Sequence, residues 1–166
     1  MIGETFTLIK LLFSSKPKEH KEVILMPMDH YPLSGYKFMS WCGRMIYRSK
    51  KQEIIDRYMS TELGKKSRRH ENFHLKQSQN MKHPSWFSYY SRYVWEWIKG
   101  NPIIHPASSA YETIPFEVEA YALDDNEEAL QNYNSKLLKE KYTLKNRKKL
   151  YKQVGAKNWK TYVKSL

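Results

Sequence analysis

The sequence predicts an α+β protein. A small antiparallel sheet of about three strands comes first. A motif-bearing helix, an aromatic backing helix, a glutamate helix and a basic helical C-terminal extension follow. Three observations predict this order. Apolar runs of strand length fill the first 48 residues. From residue 50 on, apolar side chains recur at helical spacing instead. Charge is also segregated. The net charge is +12, yet residues 135–166 hold eleven Lys/Arg against one Glu, and residues 100–134 hold seven acidic residues and no Lys or Arg. The basic character therefore belongs to the C-terminal stretch.

Residues 4–13 (ETFTLIKLLF) read as a first strand, because Thr, Ile, Leu and Phe dominate them. Pro17 marks a turn. Residues 22–28 (EVILMPM) read as a second strand, closed by Pro27 and the Asp29-His30-Tyr31-Pro32 stretch. Residues 36–48 alternate, with Phe38, Ser40 and Cys42 on one side and Met39, Trp41 and Gly43 on the other. They read as one longer strand with Gly43 as a bulge.

Residues 50–63 predict a short helix with Ile54, Ile55, Tyr58 and Met59 as its stripe. Gly64 and the run Lys65-Lys66-Ser67-Arg68-Arg69 follow, the run being either a solvated helix entrance or a substrate-facing patch. The next helix is expected over 67–81, with Phe73 and Leu75 facing the core and Gln77 on the face of His70 and His74. Pro84 stands near the start of a further helix. There Trp86, Tyr90, Tyr93, Val94 and Trp97 form a core stripe, widened by Phe87, Tyr89, Trp95 and Ile98. Residues 103–113 read as a loop with His105 and Tyr111, and residues 114–122 as a helix bearing Glu117 and Glu119. In the extension, Leu130, Tyr133, Leu137 and Leu138 fit one helix. A cluster at 145–149 precedes Leu150, Tyr151 and Val154. Gly155 breaks the pattern before Trp159, Tyr162 and Val163.

The chemistry-bearing stretch is His70-Glu71-Asn72-Phe73-His74, the His-Glu-x-x-His pattern. Residues four apart share a helix face, so His70 and His74 offer two imidazole nitrogens to one ion. Zn²⁺ takes such nitrogens at about 2.0–2.1 Å. Glu71 stands beside the ion, placed to take a proton from a zinc-bound water whose pKa falls to about 7. A third ligand is required downstream. Glu117 and Glu119, some forty residues on, are the acidic candidates; on a helix, residues two apart point to different sides, so one of the two ligates.

The order His-Glu-x-x-His-x-x-Gln, a Trp/Tyr-rich helix, then Tyr111-x-x-x-Pro115-Phe116-Glu117-x-Glu119-Ala120-Tyr121 resembles the minigluzincins. These are small zinc metallopeptidases similar to the catalytic core of thermolysin-like and Ste24-like enzymes. The resemblance covers roughly residues 36–122. It implies Zn²⁺ held by His70, His74 and Glu117, Glu71 as general base, and a peptide substrate pairing with the 36–48 strand. The family's Asp, which supports a ligating His, is replaced here by Tyr121. Tyr111 and His105 precede the glutamate helix. Both are candidate oxyanion donors, Tyr111 being taken into the site, with packing or loop structure as the alternative role for either.

Cys42 is the only cysteine, which excludes an internal disulfide and a Cys-containing zinc finger. The start shows no signal-peptide pattern, and no run of about 20 apolar residues occurs. The expected setting is the cytoplasm, or a particle assembled there, with no membrane partner. The expected domains are 1–125, zincin-like, and 126–166, the extension. Basic residues interleaved with aromatics leave three roles for the extension: a solvated hairpin, a segment docking to protein partners in a larger assembly such as a phage virion, or nucleic-acid binding.

Overall fold

The computed structural model describes residues 2–34, 36–100, 107–133 and 144–165, and the chain is α+β. It divides into two compact units, residues 1–88 and 89–166.

The first unit opens with helix α1 (Ile2–Ser14), which corrects the expected first strand. The run is 13 residues long, beyond ordinary strand length, and Glu4 ties it down. The Glu4 carboxylate accepts from the backbone N–H of Asp29 at 2.6 Å and of His30 at 3.1 Å. Leu8 is buried with Met28 and Ile46, and the Leu8 carbonyl accepts from the Trp41 indole at 2.8 Å.

Strands β1 (Ile24–Met28), β2 (Met39–Trp41) and β3 (Arg44–Arg48) form a sheet of order β1-β3-β2. Only β2–β3 is antiparallel; β1 pairs parallel with β3, so the sheet is mixed. The expected long strand over 36–48 is a hairpin. Cys42 and Gly43 have φ of 49° and 74°, the two positive values of a two-residue type I′ turn, and glycine adopts such a value without steric cost. The alternation was real, but the chain reverses within it.

Helix α2 (Gln52–Met59) buries Ile55 and packs on α3 and β3, whereas Ile54 is exposed. Helix α3 (Glu62–Gln79) carries the motif and starts five residues earlier than expected. Thr61 caps it by accepting from Gly64 N–H at 3.1 Å. Gly64 is a close-approach residue: a Cβ there would lie 2.1 Å from the Tyr58 carbonyl oxygen. Phe73 and Leu75 are buried, as expected. Three polar side chains tie α3 to the segment before β1. Val23 N–H donates to Asn72 Oδ1 at 2.7 Å, Arg68 reaches the Val23 carbonyl at 3.3 Å, and Gln79 donates to the carbonyls of Pro17 and His20 at 3.0 and 2.8 Å.

Helix α4 (Trp86–Lys99) crosses the division between the units and is capped by Ser85, which accepts from Ser88 N–H at 3.0 Å. Its inward line runs Trp86, Tyr89, Tyr93, Glu96. The expected core stripe is therefore rotated, and Val94 and Trp97 are exposed. An α4 that is aromatic on most sides hides the true buried line from a periodicity argument.

The second unit continues with α5 (Ala107–Glu112), inside what reads as a loop, and α6 (Pro115–Leu123), within one residue of the helix expected over 114–122. Short helix α7 (Glu127–Gln131) follows, then α8 (Leu144–Val154), Gly155 and α9 (Ala156–Lys164). Leu137, Leu138 and His105 lie outside the described residues. Helix α9 packs against both α6 and α8. Val118, Tyr151, Trp159 and Val163 form a buried cluster, with Tyr121 and Leu150 at its edge. Trp159 donates to the Glu112 carbonyl at 3.0 Å, and Lys164 reaches Asp124 at 2.8 Å and also Asp125. Among the described residues, no helix is long and apolar enough to cross a membrane.

Candidate metal centre

His70 and His74 sit on consecutive turns of α3, edge to face, with ring centroids 4.8 Å apart and Nε2 atoms 3.2 Å apart. Two donors about 2.05 Å from one ion at the tetrahedral angle are about 3.3 Å from each other. The imidazole pair is thus spaced as two ligands of a single ion. His70 is nearly buried at 9 % exposure. Glu71 follows it and is half-buried. Gln77, one turn beyond, is buried, and its Oε1 lies 2.8 Å from His74 Nδ1.

In the second unit Glu117 stands on the first turn of α6 at 1 % exposure. Ile114, Pro115 and Val118 beside it are apolar. A carboxylate this deep is tolerated only against donors or a cation. One donor is the Tyr93 hydroxyl, 2.5 Å from Glu117 Oε1. Burial, then the Glu117 charge, pushes the Tyr93 hydroxyl far above its ordinary pKa. The same two causes, in the same order, raise Tyr111 on α5. The Tyr111 ring is 41 % exposed while its hydroxyl end faces Glu117 and Tyr93. Both phenols therefore stay protonated as donors.

One donor atom from each of His70, His74 and Glu117 lies within 4.8 Å of the others, a group able to hold a metal ion. Glu119 does not belong to it; its carboxylate faces Tyr133, a hydroxyl raised by burial first and Glu119 second. Against known proteins, the chain matches no family model, no curated protein and no solved structure. What the geometry supplies is the His70-His74-Glu117 cluster itself.

Tyr121, at the position where the resemblance expects an Asp, lays its ring on the C-terminal helices, while its hydroxyl bears on that of Tyr111. It packs at the edge of the Trp159 cluster, and Lys160 Nζ lies 4.3 Å from its ring centroid. Sequence reasoning missed Tyr93 as a polar participant. It counts as one more aromatic in a helical stripe, and only the fold shows that its hydroxyl meets a buried carboxylate 24 positions later.

Proposed function

We propose that the chain is a zinc-dependent peptidase of gluzincin type, with His70, His74 and Glu117 holding the ion. The observation that supports this is the convergence of those three donors within 4.8 Å, with the two imidazoles already at ligand spacing. Two imidazoles and one carboxylate are a donor set that catalytic zinc sites use, leaving one tetrahedral position open. A zinc ion bound there polarises a carbonyl and lowers the pKa of a coordinated water from about 15.7 to about 7. Glu71 is the general base: its carboxylate takes the proton of the attacking water and passes it to the leaving amine. Tyr111, protonated, donates to the carbonyl oxygen as negative charge grows on it. An extended peptide adds to β2, an outer strand of the sheet.

The test is Glu71→Gln. Zinc content is expected to stay at the wild-type level, while peptide hydrolysis falls by about 10²–10⁴-fold. Unchanged hydrolysis with zinc bound refutes the mechanism.

A different observation supports a second reading, an assembly subunit of a larger particle built on the same fold. Ile2, Phe6, Ile9 and Phe13 line α1 at helical spacing with exposures of 75, 67, 49 and 69 %. Phe87, Val94, Trp95 and Ile98 do the same on α4. Contiguous apolar stripes of this kind mark contact surfaces. Light scattering decides: a mass above the 20.0 kDa of one chain, reduced to it by Phe6→Ser with Phe13→Ser, supports assembly. A monomer whose solubility ignores both substitutions contradicts it.

A further inference from the structure

We infer that Gln77 and Tyr93 are positioning residues of the metal centre, Gln77 orienting His74 and Tyr93 orienting Glu117. The inference rests on the zinc reading above. A metal-ligating imidazole ordinarily donates its second N–H to a neighbouring acceptor, which fixes the ring and its tautomer. Tyr121 occupies the place of the supporting Asp, and its ring packs at the edge of the Trp159 cluster beneath Lys160. The structure places a different acceptor at His74. Gln77 is 3 % exposed, three residues along the same helix face, with Oε1 2.8 Å from His74 Nδ1. An amide oxygen only accepts, so Nδ1 carries the proton and Nε2 presents its lone pair. That same Nε2 lies 3.2 Å from His70 Nε2.

Tyr93 plays the matching part for the carboxylate. Its hydroxyl is 2.5 Å from Glu117 Oε1, the length of a charge-assisted bond. Its ring is held by Phe116, stacked at 6.1 Å and 4°, and by Tyr89 at 6.0 Å. With ring and hydroxyl both fixed, one oxygen of Glu117 is anchored and the carboxylate plane is set.

A neutral amide gives His74 less electron density than a carboxylate in the same place. A zinc ion bound there would be held less tightly than by a carboxylate-supported imidazole. Gln77→Glu should therefore bind zinc more tightly than wild type.

The experiment measures zinc affinity by chelator competition on the full chain, together with the melting temperature of the metal-free protein and the His74 tautomer by long-range ¹H–¹⁵N correlation. Gln77→Leu and Tyr93→Phe are each expected to weaken zinc by about 10–100-fold. Gln77→Glu is expected to exceed wild type. The Nδ1–H tautomer of His74 should be present in the wild type and lost in Gln77→Leu. A merely structural role would lower the metal-free melting temperature and leave the tautomer alone. If wild type binds one zinc while Gln77→Leu and Tyr93→Phe bind it equally well, the inference is overturned and the zinc reading stands. If wild type binds no zinc, or His74→Ala binds it unchanged, the zinc reading falls and takes the inference with it. Should Gln77→Leu not fold, the other two variants decide: Gln77→Glu no tighter than wild type, with Tyr93→Phe unchanged, overturns it.

Discussion

Replacing Trp159 with Ala tests whether the basic C-terminal stretch is part of the folded unit that presents Glu117. Trp159 is fully buried against Val118, Tyr151 and Val163, and its ring centroid lies 5.0 Å from that of Tyr151. Truncating a buried Trp to Ala costs about 3–5 kcal/mol through lost transfer and cavity terms. The indole N–H also satisfies the Glu112 carbonyl at 3.0 Å, which adds about 1 kcal/mol. For a chain of this length each kcal/mol moves the melting temperature by about 2–4 °C, so the total of about 4–6 kcal/mol should lower it by about 8–24 °C. Trp159→Phe keeps an aromatic ring in the cluster, leaves a smaller cavity and should cost less than Trp159→Ala, though it too loses the bond to Glu112. The assay is urea unfolding followed by far-ultraviolet circular dichroism. Val118 follows Glu117 directly, so zinc affinity should weaken in Trp159→Ala even where the protein is folded. A loss below about 1 kcal/mol, with zinc affinity intact, would refute the reasoning, since no buried Trp in a packed cluster is that cheap to remove.

Thr61→Ala removes the cap of the motif helix and should cost about 1 kcal/mol in the same unfolding assay; no change would contradict a capping role for the Thr61 hydroxyl. Burial, then the bond to Glu112, raises the Tyr151 hydroxyl to about 12. Because the folded value lies above the unfolded value of about 10, that contribution is intact below pH 10 and is lost as pH rises from about 10 to 12. The urea midpoint should fall over that window, and less steeply in Tyr151→Phe. Chelating zinc should lower the melting temperature of the wild type and leave that of His74→Ala unchanged, since only a species that binds the ion is stabilised by it.

Much of the site is legible in the sequence because it lies on one helix. The shared face of His70, His74 and Gln77 follows from the 3.6-residue repeat, and Phe73 and Leu75 are buried as the same helix predicts. Glu117 came from resemblance, and the structure separates it from Glu119 by burial and by the turn of Glu119 toward Tyr133. The fold is less legible where local propensity and tertiary contact disagree. Thr5, Phe6, Thr7 and Ile9 favour a strand, yet the spacing of Ile2, Phe6, Ile9 and Phe13 is helical, and Glu4 bonds to Asp29 and His30 hold α1 in place. The parallel pairing of β1 with β3 has no local signal, because it is set by which strand the hairpin offers to β1. Tyr121 reads as a replacement for the family's Asp and Trp159 as part of the last apolar set of the extension; their packing with Val118 and Tyr151 depends on a chain return that periodicity does not report.

The most direct measurement of the central claim is zinc content per chain by mass spectrometry on wild type, His74→Ala and Glu117→Gln. One zinc is expected in the wild type, none in His74→Ala and a weakly held fraction in Glu117→Gln. A wild type without zinc, or zinc retained in full by both variants, would contradict it.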